Sequence, residues 1–447
     1  MQRAGLAVAQ LALATVPHAR RIWVACGPGN NGGDGLEVAF HLHQWGKEPV
    51  ITWLGSPSQA SLDTQAAYEK VRALGLAIAD DPPTQYDMCI DALLGIGASR
   101  REPHAQMARW IDQMNSSGAP VLAIDLPSGL NPDTGSAPHL HVKASHTLSL
   151  LTLKAGLFTG EGRDASGDIW LDDLDVPCDV AGAPAPMARL NTASRPAARP
   201  HASHKGSFGD VAVIGGAPGM TGAALLAASA ALRTGAGRVF VGLLDETAPA
   251  LDTLQPELMF RRTDSLDLST MTTVCGCGGG SAITTHLHGI LISLAPVVID
   301  ADALNAIAFD AGLQAALKLR SSHALVTVLT PHPLEAARLL GCDTAQVQHD
   351  RLQAASQMAA MFGCTVILKG SGTVIAEPGQ ISVVNATGNS RLATSGTGDV
   401  LAGMVGAHLA GGQPAFQAAC AAVFDHGAFA DRWPGPQHLT ASQLALG

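Results

Sequence analysis

The sequence predicts two doubly wound, three-layer α/β domains in tandem, and three observations carry that prediction. Short β-branched runs alternate with helical periodicities from residue 21 to beyond residue 400, the pattern of parallel strands joined by crossover helices. Around 190–203 the alternation stops in a Pro- and Ala-rich stretch, PMARLNTASRPAARPHASHKG, which sets a boundary between residues 1–190 and 191–447. Composition agrees. With 47% apolar residues, 49 glycines and 4% aromatics, the cores are packed by Ala, Leu and Val, and 447 residues suffice for more than one core.

The first 21 residues, MQRAGLAVAQLALATVPHARR, have arginines, no acids and an apolar middle, as targeting peptides do. They run without a small-residue cleavage site into the strand RIWVAC, and are read as a domain helix. RIWVAC leads into GPGNNGGDG and a helical pattern through Trp45, the opening of a βαβ unit. Gly27, Gly29 and Gly32 spell a literal G-x-G-x-x-G. The next strand, PVITWLG, ends in Leu54 and Gly55 where a dinucleotide site wants an acid, so the standard fingerprint fails. YDMCIDALLGIG is a strand ending at Asp91 and APVLAIDLPSG one ending at Asp125, with HTLSLLTLKAG and DIWLDDLDVP completing a sheet. Polar groups at the carboxyl ends of parallel strands collect on the usual site edge, although simple capping explains one such aspartate equally well. Asn31, Asp91 and Ser128 supply hard oxygen donors with few charges, which suits a monovalent cation or Mg²⁺ better than zinc.

Beyond the linker, strands recur at 209–216, 237–244, 273–280, 296–302, 324–330, 364–370 and 373–378, with helical stretches between them. The densest chemistry lies in NATGNSRLATSGTGDVLAGMVGAHL, residues 385–409. Gly396 and Gly398 let the backbone turn its N–H groups toward a ligand, and a helix start with free N–H donors binds anions, phosphate above all. Asp399 at that spot repels phosphate unless it takes a proton from a neighbouring hydroxyl, which is what phosphoryl transfer needs. A plain helix cap with a flexible lead-in explains the same residues, and spacing alone leaves both readings open. Lys369, followed by Gly370, Ser371, Gly372 and Thr373, is either a phosphate clamp or a solvated strand-end charge. His332 is held out of helix by Pro333. Asp300, Asp302 and Asn305 either coordinate Mg²⁺ or hold a strand-to-helix corner.

A net charge of −10 without a basic run argues against a nucleic-acid partner, and no apolar run is long enough to span a membrane. Eight scattered cysteines, of which only Cys275 and Cys277 are close, read as thiols of a reducing, cytoplasmic compartment.

SGTGDVLAGM resembles the anion-hole and catalytic-aspartate signature of ribokinase-like folds. HKGSFG, DADALN, TPHPLEAARLLG and KGSGT are similar to one branch of these, the nucleotide-dependent NAD(P)H-hydrate dehydratases. GPGNNGGDG, DALLGIG and IDLPSG resemble the NAD(P)H-hydrate epimerases, so nearly the whole chain is similar to the fused, bifunctional repair enzymes. The resemblance implies a Rossmann-like first domain and a ribokinase-like second one. It implies a K⁺ site at Asn31, Asp91 and Ser128, and hydrated-nucleotide contacts at Asn30, Asn31, Gly32, Gly33, Asp34, Gly95, Ile96, Gly97, Ala98, Ser99, Arg100, Arg101 and Asp125. Asp125 is then the acid/base for inverting the hydrated ring carbon. In the second domain it implies substrate contacts at Ala223, Gly278, His332 and Asp399. It also implies an adenine-nucleotide site at Lys369, Gly370, Ser371, Gly372, Thr373 and Gly398, with Mg²⁺. The family's GPGLG is GCGGG here, cysteine replacing proline, which leads to the expectation of a less rigid loop. Epimerases carry some tens of residues ahead of the helix matching MQRAG. Because this sequence starts at that helix, an impaired epimerase or a misassigned start codon is expected.

The resemblance further implies hydrated NADH and NADPH as substrates, ADP or ATP as phosphoryl donor, and a homo-oligomer. Hydroxide leaves poorly, and phosphorylation turns it into a good leaving group. The competing reading is a hydroxymethylpyrimidine- or thiazole-type kinase fused to a binding domain, and TPHPLEAARLLG and HKGSFG argue against it. A non-catalytic scaffold of the kind found in RNA-processing assemblies is disfavoured by Asn31, Asp91, Asp125 and Ser128.

Overall fold

The computed structural model describes residues 1–97, 102–177, 185–193 and 200–447, and the chain divides into two compact units, Met1–Ala185 and Pro186–Gly447. Ala98, Ser99, Arg100 and Arg101 lie outside the described residues.

The first unit holds a parallel sheet of β1 (Arg21–Cys26), β2 (Glu48–Trp53), β3 (Ile78–Ala79), β4 (Met88–Ala92), β5 (Val121–Ile124), β6 (His146–Leu150) and β7 (Asp168–Asp172). Their order is β3-β2-β1-β4-β5-β6-β7 among the described residues. Alternation along β1 makes the three layers. Ile22, Val24 and Cys26 pack with the helices Gln2–Thr15 and Asn30–Gln44, while Trp23 and Ala25 face Trp110, Ile111 and Met114 of the helix Ala105–Ser116. The N-terminal segment is thus a domain helix, burying Ala4, Val8, Ala9 and Ala12 and ending just ahead of Pro17. Its spacing of three and four puts these small residues on one stripe.

Apart from Gly29, where a Cβ would meet nothing within 4 Å, the glycines of GPGNNGGDG serve internal packing. A Cβ at Gly27 would lie 1.7 Å from the Leu93 carbonyl oxygen, and one at Gly32 2.0 Å from the Gly27 carbonyl oxygen. The loop is closed down on its own neighbours, which accounts for a dinucleotide-like glycine pattern without the acid that should follow it.

The second unit contains β8 (Ala188–Leu190), β9 (Asp210–Gly215), β10 (Arg238–Leu243), β11 (Met259–Phe260), β12 (Thr272–Cys275), β13 (Val297–Ile299), β14 (Thr327–Leu329), β15 (Thr365–Leu368), β16 (Val374–Ala376) and β17 (Ser382–Val384). The order is β11-β10-β9-β12-β13-β14-β15-β16-β17-β8, with β16 antiparallel to both its neighbours. The boundary expected after residue 190 therefore differs from the observed division by one strand. Ala188–Leu190, inside the stretch read as linker, pairs with Ser382–Val384.

On one face Val211 and Val213 pack with Ala224, Ala227, Ala228 and Ala231 of the helix Thr221–Thr234 and with Leu401, Ala402 and Val405 of the helix Thr397–Ala410. Small residues let these helices sit close. A Cβ at Gly403 would come within 2.0 Å of the Ala227 carbonyl oxygen, and one at Gly406 within 2.4 Å of Val274. The opposite strand residues, Ala212 and Ile214, are fully buried on the other side. Among the described residues no helix is long and apolar enough to cross a membrane.

Candidate functional sites

In the second unit the chain's chemistry gathers at the carboxyl ends of β12 to β15 and the start of the helix Thr397–Ala410. Gly396 occupies the helix cap with φ 91° and contributes no side chain. Asp399 stands three residues later, in the first turn, so it is not the cap. Its carboxylate receives the Cys277 thiol, and burial, reinforced by nearby Asp300, pushes its pKa up to about 7. Below it the buried His426 donates from Nε2 to the Thr397 carbonyl at 2.9 Å, and the Thr397 hydroxyl donates to the Leu392 carbonyl at 2.9 Å, fixing the first turn from both sides. Burial lowers His426 to about 4, so it is the neutral ring that donates.

Lys369 is not a solvated charge. Its Nζ donates to Asp300 Oδ1 at 2.6 Å, and a Cβ on Gly398 would lie only 3.2 Å from that Nζ. Burial works against its ammonium, and the carboxylates of Asp300, Glu335 and Asp399 outweigh it, raising the pKa. Lys369 thus stays charged beside the helix start that carries Gly398 and Asp399. Gly370, Ser371, Gly372 and Thr373 form the hairpin loop from β15 to β16, closed by the Thr373 hydroxyl on the Gly370 carbonyl at 3.1 Å. Gly370, at φ 141°, lies over the Arg351 guanidinium, where a Cβ would come within 2.9 Å. Arg351 is buried and donates to the carbonyls of Leu368 and Lys369, both at 3.0 Å, so it holds the lysine's backbone in place. Nothing in the sequence around Arg351 marks that role.

His332 caps the helix Pro333–Leu340. Its Nδ1 accepts from the backbone of Leu334 at 3.1 Å, which leaves the proton on Nε2, 3.2 Å from Glu335 Oε1. Burial and the Lys369 charge lower its pKa, and burial raises that of Glu335 to about 7. The Lys369 backbone N–H bonds the Pro331 carbonyl at 2.9 Å, tying the histidine's loop to the lysine's. Gly278, with φ 57°, would drive a Cβ to 2.8 Å from that of Ala223, so these two positions touch. The three-residue Mg²⁺ set does not form. Asp302 accepts from the Gly280 N–H at 2.8 Å, Asn305 from Arg338 at 2.6 Å, and Asp300 from Lys369 and Thr330, so the first two hold corners. The acidic groups that do converge are Asp300 and Asp399. Together with Cys277 their ligand atoms lie within 4.8 Å of one another, and burial holds the Cys277 thiol far above its usual range.

In the first unit Asp91, next to last in β4, is fully buried. It accepts from the Ser128 hydroxyl at 2.7 Å, the Ser128 N–H at 2.8 Å and the Leu93 N–H at 3.1 Å. Burial raises its pKa to about 6. Asn31, in the first turn of the helix Asn30–Gln44, is buried against Gly95, and its Nδ2 has no partner among the described residues. Turned over, that amide offers its oxygen at the same point, the atom a cation takes. Asn30 accepts from Ser61 at 2.7 Å. Gly33 packs on Thr64, while Ile96 and Gly97 are exposed.

Asp125 follows β5 at φ 70°, a left-handed angle that an aspartate adopts only under constraint. Lys154 supplies the constraint, pairing with Asp125 Oδ1, while the Leu150 N–H donates to the same oxygen at 3.1 Å. Asp34 faces this pair, and burial lifts its pKa to about 7. Lys154 stands in the segment HTLSLLTLKAG, but its strand ends at Leu150 and the chain turns it back on Asp125, a meeting that spacing does not reveal.

Comparisons with known proteins find matches for both units. A family model described as NAD(P)H-hydrate dehydratase matches residues 211–446, and one described as YjeF-related protein N-terminus matches residues 1–156. The Bifunctional NAD(P)H-hydrate repair enzyme Nnr of Escherichia coli is 37% identical over 96% of this chain and 84% of its own length. That of Coxiella burnetii is 36% identical over 97% of this chain and 89% of its own. The ADP-dependent (S)-NAD(P)H-hydrate dehydratase of Neisseria meningitidis is 48% identical, over 56% of this chain and 85% of its own. Matched along nearly its whole length, this chain belongs to the family of bifunctional NAD(P)H-hydrate repair enzymes.

Proposed function

We propose that the chain restores hydrated NADH and NADPH, its second unit dehydrating the S hydrate at the expense of an adenine nucleotide and its first interconverting the R and S hydrates. The observation that carries the reading is the meeting of Asp399, the Gly398 N–H edge and the Asp300-paired Lys369 at one point. Free N–H groups at a helix start and a lysine hold a polyphosphate, and a carboxylate there has work only as a base. Asp399 takes the proton of the substrate hydroxyl as its oxygen bonds the terminal phosphorus and the nucleotide's P–O bond breaks. The new phosphate then leaves with the C–O electrons, the ring loses a proton, and the dihydropyridine is regenerated. The name of the Neisseria relative supports ADP as donor. Mg²⁺ would be held by the nucleotide phosphates with the carboxylate of Asp300, which leaves Asp399 as the base, and would neutralise phosphate charge.

In the first unit Asp125, oriented by Lys154, is the group placed to move the proton when the hydrated carbon inverts. Asn31, Asp91 and Ser128 fit a K⁺ ion by their oxygens and by the unpartnered buried amide. Its charge would favour the ionised Asp91. The test is direct: S-hydrated NADH with ADP or ATP should regain the absorbance of reduced nicotinamide when the protein is added. No gain with either nucleotide contradicts the dehydratase reading.

A further inference from the structure

A cavity of about 770 Å³ opens where β10 and β11 end, among Leu243, Asp245, Phe260, Arg261, Thr285 and His286. None of these residues takes part in the site at Asp399. The sheet order nevertheless leads from one to the other. Lys369 follows β15, Asp300 follows β13, Cys277 and Gly278 follow β12, Gly216 follows β9, and the cavity lies at the next two strands, opposite the lysine. At about 4.8 Å per strand the cavity is roughly two to three strands, about 10–15 Å, from Gly278.

The floor between them is continuous. Gly216 donates to the Cys277 carbonyl at 3.0 Å, Ala217 to that of Gly278 at 2.7 Å, and Asp245 to that of Gly216 at 3.1 Å. Beside it Gly219 and Gly222 face open space, since a Cβ on either would meet nothing within 4 Å. Resting on the dehydratase reading, we infer that this cavity receives the second, adenosine-bearing nucleotide of a dinucleotide substrate whose hydrated ring lies at Asp399.

The lining suits that ligand. Leu243 and Phe260 are apolar walls for a base, and the volume falls in the range of small-molecule pockets. Asp245 follows the second strand of the β9–helix–β10 unit, the position from which such units bond a ribose hydroxyl. Arg261 donates to the Phe260 carbonyl at 2.7 Å and pairs with no carboxylate among the described residues, whereas Arg262 is engaged with Asp264 at 3.4 Å and Glu246 at 3.5 Å. Arg261 is therefore the group for the extra phosphate of the NADP form.

Hydrated NADH, hydrated NADPH and hydrated reduced nicotinamide mononucleotide, which lacks the second nucleotide, are compared as substrates of the full chain with ADP. A kcat/KM for hydrated NADH about tenfold or more above that of the mononucleotide is expected, since remote contacts lower the barrier. Thr285→Trp, at an exposed helix position facing the cavity, should bring that ratio toward one. Arg261→Gln, also exposed, should lower the NADPH-to-NADH hydrate ratio severalfold. Equal kcat/KM for mononucleotide and dinucleotide, or ratios that neither substitution moves, overturns the cavity's role and leaves the dehydratase reading standing. Failure of the unaltered protein on every hydrate contradicts the dehydratase reading, and the cavity's role falls with it.

Discussion

Asp399→Asn keeps the size of the side chain and removes the proton acceptor. General-base catalysis contributes about a hundred- to ten-thousand-fold, so S-hydrate dehydration should fall by that order. Nucleotide affinity should hold or rise with one negative charge gone. Near-unchanged dehydration would return Asp399 to a merely structural role. The pH profile follows from the same carboxyl. Its folded pKa, raised by burial to about 7, lies above its ordinary 3.8, and the base works only when ionised. Dehydration kcat/KM should therefore climb as pH rises through about 7 and level off above it, and a profile flat between pH 5.5 and 8 would point to another base. Lys369 and Asp300 form a further testable pair. Lys369→Met leaves the 1% exposed Asp300 unpaired, a loss of about 3–5 kcal/mol for a broken buried pair. Adding Asp300→Asn should restore much of that stability in urea unfolding but none of the activity. Residues of this kind were readable as candidates because glycine, lysine and aspartate cluster in the sequence. Their partners Arg351, His426 and Lys154 were not, since each acts through a contact between distant segments.

The helix Thr397–Ala410 is positioned by glycine rather than by large side chains. Gly403→Ala would press a methyl on the Ala227 carbonyl oxygen, which lies 2.0 Å from the added carbon, and overpacking of this sort costs about 1–3 kcal/mol. The expected outcome is a lower urea midpoint for the second unit together with weaker nucleotide binding, because the same helix start carries Gly398. Unchanged stability would mean the helix can shift at no cost. Long strands such as β1, β9 and β10 were legible because their apolar runs are bounded by glycine and polar turns. The two-residue strands β3 and β11 were not, since so short a stretch has no period. The short β13, β14 and β16 were read, but the equally short β8 and β17 were not, because they pair with each other across a long separation in sequence. That is why Ala188–Leu190 read as linker although its backbone completes the edge of the second sheet. The helix cap was misleading for a related reason: Ser, Thr, Gly and Asp all suit caps, and only the geometry separates Gly396, which caps, from Asp399, which does not.

At the scale of the whole molecule the two units carry separate sites. Ligand binding stabilises only what folds around the ligand, so ADP or ATP should protect residues 186–447 against limited proteolysis and leave residues 1–185 as sensitive as before. Exchange of K⁺ for a bulky organic cation should slow epimerisation and spare S-hydrate dehydration, and the reverse would remove the ion from Asn31, Asp91 and Ser128. The two-domain plan was legible from the interrupted alternation, and the shared chemistry of the halves from motifs at strand ends. The central claim is that one chain performs both steps, and pure R-hydrated NADH with ADP tests it in a single trace. Recovery of reduced-nicotinamide absorbance faster than spontaneous R-to-S conversion is expected, lost in Asp125→Asn and regained by that variant when the S hydrate is supplied. An R hydrate that stays inert while the S hydrate is consumed would contradict the claim.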